Sequence, residues 1–255
     1  MLAIAPSAFA ALTYKTQSST TGLRSVSIMG AVTVDGPRMR MDVTKGDNMI
    51  LKDNAIVLSN DGGMTMSVFD PATKTFYDLQ LDQILGGPNS MLQGLGDLVK
   101  INFANPKVTV NDAGDGGAIE GFPTHKYVLD ASYDMNIDAM GQQMTAHLTM
   151  NTESWTTDKL SAEMGSFLQM RGIHTGIEVV DKLIDAQRSA MHGFPLKQVS
   201  TIHVGQPDGQ DMTMSTTATV SDIQQKNVDA SVFSAPAGYT KVEDPVTKMM
   251  KSIKQ

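Results

Sequence analysis

The sequence predicts an α+β protein dominated by one antiparallel β-sheet. Apolar and polar residues alternate through most of the 255-residue chain, which is the pattern of strands that bury one face. Turn sequences such as Asp35-Gly36 and Asp61-Gly62-Gly63 separate the alternating stretches, as they do in hairpins. Two segments in which apolar residues recur every three or four positions predict the helical part.

The predicted strands form a meander in which each strand turns back on the one before it. Segment 112–117 is predicted to be a turn, because it consists largely of glycine and aspartate, and a bulge or bend is predicted near Gly30. Strands are predicted over residues 12–21, 26–34, 39–43, 48–51, 56–60, 64–68, 75–79, 107–111, 125–137, 144–155, 196–204 and 211–223. Since residues two apart share a face, the inward face is predicted to carry Ile28, Val32, Val34, Met39, Met41, Met64, Met66 and Val68.

Two helical inserts are predicted between the strands. In the first, Gly86-Gly87-Pro88 interrupts the helical spacing, so we expect two short helices or a helical loop. In the second, Thr175 and Glu178 form a capping box, and Gly193 is expected to end the helix. The apolar stripes that should face the sheet are Leu81, Ile84, Leu85, Leu92 and Leu95 in the first insert, and Leu183, Ile184 and Met191 in the second.

Composition and the N-terminal residues favour an exported protein. Residues 1–11 resemble the end of a signal peptide with Ala8-Phe9-Ala10 as cleavage site, so in a bacterium we expect a soluble periplasmic protein. The absence of cysteine excludes disulfides and thiolate metal sites. A net charge of −7 argues against nucleic acid as a partner. No later stretch contains the ~20 apolar residues of a membrane-spanning helix.

Residues 243–255 are predicted to be a basic C-terminal tail. Lys248, Lys251 and Lys254 recur every three positions beside apolar residues. A frayed terminus is the favoured interpretation. The alternative is a basic amphipathic helix that contacts envelope proteins or a membrane surface.

Several short motifs follow one another in a characteristic order. They are Gly30–Arg40 with Asp42, Asp70–Tyr77, Gly121-Phe122-Pro123-x-x-Lys126-Tyr127, Glu153-Ser154-Trp155-x-x-Asp158, Gly193-Phe194-Pro195 and Phe233-x-x-Pro236-x-Gly238-Tyr239. This order resembles the bacterial DUF4412 family and the wider superfamily of LolA-like lipoprotein carriers. The resemblance covers residues 12–242, which we expect to form a single domain. It implies a strongly curved sheet, an open half-barrel with helices plugging its concave face, whose hollow holds acyl chains of lipoproteins or lipids.

Motifs of catalysis and of cofactor binding are missing from the sequence. The five histidines are scattered, and there is neither a nucleophile elbow nor a phosphate-binding glycine loop. We therefore predict no catalytic residues, no metal and no cofactor. The pairs Met39/Met41, Met64/Met66 and Met212/Met214 each place two thioethers on one face, so a copper(I) site remains a less favoured alternative to apolar packing.

These patterns predict a non-enzymatic, monomeric periplasmic protein that holds a lipid or acylated ligand in an apolar cavity, as a carrier or an envelope sensor. The alternative is a structural or protein-interaction module of the envelope whose concave face is filled by its own side chains. The residues predicted to line the cavity are Met39, Met41, Met64, Met66, Leu85, Leu92, Leu95, Leu183, Ile184 and Met191.

Overall fold

The structure, a computed structural model, describes residues 11–22, 25–80, 99–139, 141–160, 178–205 and 211–253. Strands dominate these residues. The strands are β1 (Ala11–Thr21), β2 (Val26–Asp35), β3 (Arg38–Gly46), β4 (Ile56–Ser59), β5 (Thr65–Asp70), β6 (Thr75–Gln80), β7 (Val99–Ile119), β8 (Phe122–Ala139), β9 (Gln142–Thr157), β10 (Phe194–Gly205), β11 (Met212–Lys226) and β12 (Thr240–Lys241). The α-helices are α1 (Glu178–Ala190) and α2 (Pro245–Ile253), and short 3-10 turns span Asp158–Leu160 and Ala230–Phe233.

All of these strands belong to one sheet, in the order β12-β6-β5-β4-β3-β2-β1-β11-β10-β9-β8-β7. β1–β6 form one run of antiparallel hairpins and β7–β11 form another. The two runs join where β1 pairs with β11, and the short β12 adds a parallel edge to β6. The sheet starts at β12 and ends at β7, so it is open, and the predicted antiparallel sheet is confirmed.

One face of the sheet, here called the core face, carries two buried clusters. The first cluster is Leu12, Val32, Val34, Leu160, Phe194 and Leu196, and the second is Val43, Ala55, Val57, Val68, Tyr77 and Leu79. Met39 and Met41 pack against both clusters and so join them into one core. Met39 of β3 and Ile119 of β7 both pack against the first cluster, although a flat sheet would hold these strands ~34 Å apart. The sheet therefore curves around its core.

The predicted inward face is confirmed in β2, β3 and β5. Val32, Val34 and Val68 are buried in the clusters. The register between β2 and β3 shifts between Met29 and Gly30, which confirms the predicted bulge. A Cβ at Gly30 would lie 2.8 Å from the Asp42 carbonyl oxygen, so this close approach requires glycine.

A C-terminal strap, residues 228–242, crosses the opposite or outer face of β3–β6. Phe233 is buried there, and the guanidinium carbon of Arg38 lies 4.6 Å from its ring centroid. Arg40 holds the same segment, because its Nη1 donates to the Val232 carbonyl at 3.2 Å while its Nε and Nη2 donate to the Asp42 carboxylate. Phe233 thus anchors the strap, and it lies at the end of the 3-10 turn Ala230–Phe233. Asp229 starts that turn by accepting the Ser231 N–H at 2.8 Å.

The end of the strap closes on β5 and β6. Tyr239 meets Phe69 edge to face with 5.3 Å between ring centroids, and Phe69 in turn stacks on Phe76. The Val242 N–H donates to the Phe76 carbonyl at 2.8 Å, and the Val242 side chain packs against the second cluster. The strap thus connects the outer face to the core.

Segment 48–51 does not form the strand predicted from the sequence. The Asn48 side-chain oxygen accepts the N–H groups of Ile50 and Leu51 at 2.9 and 2.6 Å, which bends the backbone away from an extended course. A single bridge between Asp47 and Lys52 is what remains of the expected strand. Local capping by asparagine here outweighs the apolar alternation.

Segment 112–117 does not form the predicted turn, because it lies inside strand β7. The carboxylates of Asp112 and Asp115 accept the N–H groups of Gly114 and Gly117, each at 2.8 Å, and the register against β8 shifts at both places. These glycines therefore form bulges in a continuous strand. The turn comes later at Glu120-Gly121, where both residues have the positive φ of a type I′ hairpin.

Helix α1 confirms the second predicted insert. It packs against β7 and, less extensively, against β8. Gly193 follows it with φ +87°, and a Cβ there would lie 2.9 Å from the Thr157 backbone. The first insert at 81–98 and the cap residue Thr175 lie outside the described residues. Within the described ranges the predicted helical plug is thus represented by one helix near the β7 edge of the sheet.

The C-terminal tail forms helix α2 and not the favoured frayed end. Pro245 occupies its first position, and Asp244 caps it by accepting the Thr247 N–H at 2.8 Å. Lys251 forms an ion pair with Glu243. Capping by Asp244 favours the helix, which was the less favoured alternative in the sequence analysis. Its contact with a membrane surface or an envelope protein stays a prediction.

Candidate ligand-binding site

A hollow of about 250 Å³ opens on the core face, where the two runs of hairpins join. Strands β1, β10 and β11 form its floor. Its lining residues are Tyr14, Thr16, Phe194, Pro195, Leu196, Lys197, Gln198, Ala218, Thr219 and Val220.

One end of the hollow is apolar and continuous with the first cluster. Phe194 and Leu196 are buried members of that cluster, and Tyr14 and Val220 pack against it. The rings of Tyr14 and Phe194 meet edge to face with centroids 5.4 Å apart. Burial raises the pKa of Tyr14 to about 12, so its hydroxyl stays neutral at physiological pH. This end offers an apolar surface to a ligand.

The other end carries neutral hydrogen-bonding groups. Thr16 and Gln198 line it, and Ser154 of β9 stands directly opposite Gln198 on the same face. In the next row of the sheet the hydroxyls of Thr152 and Ser200 bond each other at 2.9 Å. The hollow therefore grades from aromatic and aliphatic walls to a rim of hydroxyl and amide groups.

Lys197 is the charged residue of the lining, and its ammonium lies on the outer face. Its Nζ is 4.6 Å from the centroid of the Trp155 ring, and Lys126 Nζ lies 4.8 Å from the same ring. Lys126 also pairs with Glu153 at 2.7 Å. Trp155 and Lys197 are direct cross-strand partners, and strand neighbours alternate between faces, so both point away from the face of Gln198. The lining side chains on the core face are accordingly uncharged.

The hollow and the methionine cavity predicted from the sequence do not coincide. Met39, Met41 and Met66 pack against the buried clusters and fill the core beside the hollow. Met64 precedes β5 and is 36% exposed, so its predicted inward position is wrong. The physical reason is that Met64 belongs to the turn after Gly63, where the alternation of the strand has not yet begun.

The helical cavity residues lie away from the hollow or outside the described residues. Leu183 and Ile184 on α1 and the following Met191 are half-buried, and α1 lies against β7 rather than over β1, β10 and β11. Leu85, Leu92 and Leu95 fall in segment 81–98 and are outside the described residues. Their predicted role as cavity lining stays a prediction.

Sequence reasoning missed the residues that line this hollow. Tyr14 and Thr16 continue the alternation that starts at Leu12, which was a usable signal for their face. Nothing in the local sequence, however, indicates that β1 pairs with β11, which lies about two hundred positions later. That pairing brings Tyr14 to Val220 and creates the hollow.

A second groove of about 450 Å³ lies across β7–β10 on the outer face. Seven of its ten lining residues are polar, among them the exposed Lys107, Asp130 and His203, and the other three are Val108, Ala131 and Met150. Asn151 donates to the Asp130 carboxylate at 2.7 Å, which leaves this part of the rim internally satisfied. The core-face hollow is the better candidate site for an apolar ligand because its walls include Phe194 and Leu196, which are buried members of the first cluster.

Neither a metal-binding cluster nor a membrane-spanning helix occurs among the described residues. No group of three or more histidine or acidic side chains is placed to hold a metal ion there. In the same ranges no helix combines the length and apolarity needed to cross a membrane.

Comparison with known proteins finds similarity to solved structures only. No family model matches the chain, and no curated protein matches it. The chain is similar to a crystal structure of a LolA superfamily protein from Nitrosomonas europaea, with 10% identity, a TM-score of 0.33, and coverage of 89% of this chain and 91% of that chain. A similarity at this level does not assign the chain to a family, so the fold rests on the strand order and pairing given above.

Proposed function

We propose that this is a non-enzymatic periplasmic binding protein that holds a lipid or acyl chain in the core-face hollow, as a carrier or envelope sensor. The observation that carries the proposal is the hollow itself, an apolar pocket that opens beside a well-filled core. Its volume of about 250 Å³ lies just below the ~300–1,000 Å³ of usual small-molecule sites. The hollow therefore suits a segment of an acyl chain better than a whole lipid.

Apolar burial supplies the affinity in this proposal. Each methylene removed from water contributes about 0.8 kcal/mol, which is about fourfold in Kd. The edge-to-face pair of Tyr14 and Phe194 provides a rigid wall, while Leu196 and Val220 supply aliphatic contact. No bond is made or broken, so no catalytic group is required.

The proposal is tested with delipidated protein and a series of fluorescent acyl probes of increasing chain length. Affinity should rise about fourfold per added methylene until the hollow is full, and then level off. Ala218→Phe should abolish binding by filling the hollow, because Ala218 is part of its lining. Ala31→Phe is the matched control, since Ala31 is exposed on the outer face of β2 and should leave binding unchanged. Saturable binding that is insensitive to Ala218→Phe would move the ligand elsewhere, and no saturable binding would end the proposal.

The filled-core interaction module is the second candidate function. It is favoured by the second cluster, in which the core face of β3–β6 is packed with its own side chains. Under this alternative the hollow is too small to bind an acyl chain, and no acyl probe binds to the protein. Absence of probe binding by wild-type protein would therefore favour the interaction module.

A further inference from the structure

One buried hydroxyl beside the polar rim of the hollow, that of Ser154, lacks a hydrogen-bond partner. The Ser154 side chain is 1% exposed, and its Oγ has no hydrogen-bond partner, the single case of its kind among the described residues. The neighbouring hydroxyls of Thr152 and Ser200 do bond each other at 2.9 Å. Buried polar groups are nearly always paired in native proteins, so a free buried hydroxyl calls for an explanation.

Gln198 connects this hydroxyl to the hollow. Ser154 and Gln198 are direct cross-strand partners, and side chains so placed have Cβ atoms ~4.5–5.5 Å apart. Gln198 is half-buried and lines the hollow, with Thr16 on the same rim. A hydrogen bond from Ser154 Oγ to Gln198 Oε1 would leave the Gln198 Nε2 donors free to point at a ligand.

The charges around the hollow restrict the chemical class of ligand that it can bind. Among the described residues that line it, only Lys197 is charged, and its ammonium lies over Trp155 on the other face. An ionised carboxylate placed in this hollow would lose its hydration without gaining a cationic partner, which is strongly unfavourable. An ester or amide carbonyl carries no charge and needs a single donor.

We propose that the hollow selects acyl chains that carry an uncharged ester or amide head and rejects free fatty acids. Gln198 Nε2 donates to the head-group carbonyl, and Ser154 is a positioning residue whose hydroxyl donates to Gln198 Oε1 when the ligand binds. This inference rests on the proposed function, because it names the ligand class of the same site.

The test is displacement of a neutral fluorescent acyl ester from delipidated wild-type protein at about pH 8, where a fatty acid is ionised. The competitors are a fatty-acid methyl ester and the free acid of the same chain length. The ester should compete at least about tenfold better. Gln198→Leu should weaken ester binding roughly three- to tenfold and remove the preference over the acid.

Variants at Ser154 distinguish a role in positioning Gln198 from a role in stabilising the fold. Ser154→Ala should lower the ester preference without lowering Tm, since it deletes a hydroxyl that is unpaired in the free protein, and Ser154→Thr should restore the preference. Thr152→Val is the matched control: it breaks the Thr152–Ser200 bond and should lower Tm while the preference persists.

The outcomes distinguish this inference from the proposed function. Wild type that binds no ester probe ends the proposed function and the inference with it. Wild type that binds ester and acid equally keeps the acyl-binding function and overturns the ester selectivity. Selectivity that survives Gln198→Leu overturns the assigned recognition residue.

Discussion

Replacement of Phe233 by alanine tests whether the strap contributes to global stability. Phe233 is 4% exposed, and the Arg38 guanidinium carbon lies 4.6 Å from its ring centroid. Truncating a buried phenylalanine costs ~3–5 kcal/mol, which includes the cavity it leaves. For a chain of this size each kcal/mol lowers Tm by ~2–4 °C, so Phe233→Ala should lower Tm by about 6–20 °C.

The assay is thermal unfolding followed by circular dichroism, with Ser234→Ala as matched control. Ser234 is exposed and adjacent, so its substitution should change stability by less than ~0.5 kcal/mol. Limited proteolysis of the native Phe233→Ala protein should also cut near the strap earlier than in wild type. A Tm equal to that of wild type would refute the argument that the strap is held by this ring. A separate low-temperature transition would show instead that the strap detaches while the sheet stays folded.

Three further outcomes follow from single contacts. Arg40→Lys should lower the unfolding free energy measured in urea by ~1–2 kcal/mol. The reason is that lysine lacks the planar guanidinium that binds the Asp42 carboxylate and the Val232 carbonyl at the same time. Equal urea midpoints for the variant and wild type would contradict this prediction. Burial raises the pKa of Tyr14 from its ordinary 10.0 to about 12 in the folded protein, so stability is lost as pH rises from 10 to 12. Tyr14→Phe should flatten this decline when unfolding free energy is measured by denaturation between these pH values; an equally steep decline would contradict the assignment to Tyr14. Gly193→Ala should lower Tm more than Gly121→Ala. Both glycines have positive φ, but only at Gly193 would the new Cβ lie within 3 Å of backbone atoms. Comparable Tm values for the two variants would contradict this steric explanation.

The sheet was predictable from the sequence because its signals are local. Alternation placed Val32, Val34 and Val68 on the buried face, and this was correct. The errors also have local causes: the side chain of Asn48 bends a segment that alternates like a strand. Bulges at Gly114 and Gly117 place turn-like residues inside a strand.

The candidate site was not predictable for the opposite reason, because it depends on contacts between distant segments. Tyr14 and Val220 meet only because β1 closes on β11. A strand's alternation says which face a residue occupies, but not which strand will be its neighbour. Methionine content pointed to Met39 and Met41, and the structure uses these flexible side chains to join the two clusters.

The two halves of the described sheet are packed differently. In β4 and β5, consecutive residues such as Val57 and Leu58, or Val68 and Phe69, are buried on opposite faces, because the second cluster covers one face and the strap lies against the other. Around β1, β10 and β11 the outer face is polar and the hollow interrupts the packing of the core face. A hollow removes van der Waals contacts from its walls and so costs stability. Burial on both faces of β4 and β5 offsets that cost in a part of the sheet away from the hollow. The junction of β1 and β11 can therefore keep the unfilled apolar space that the proposed function requires.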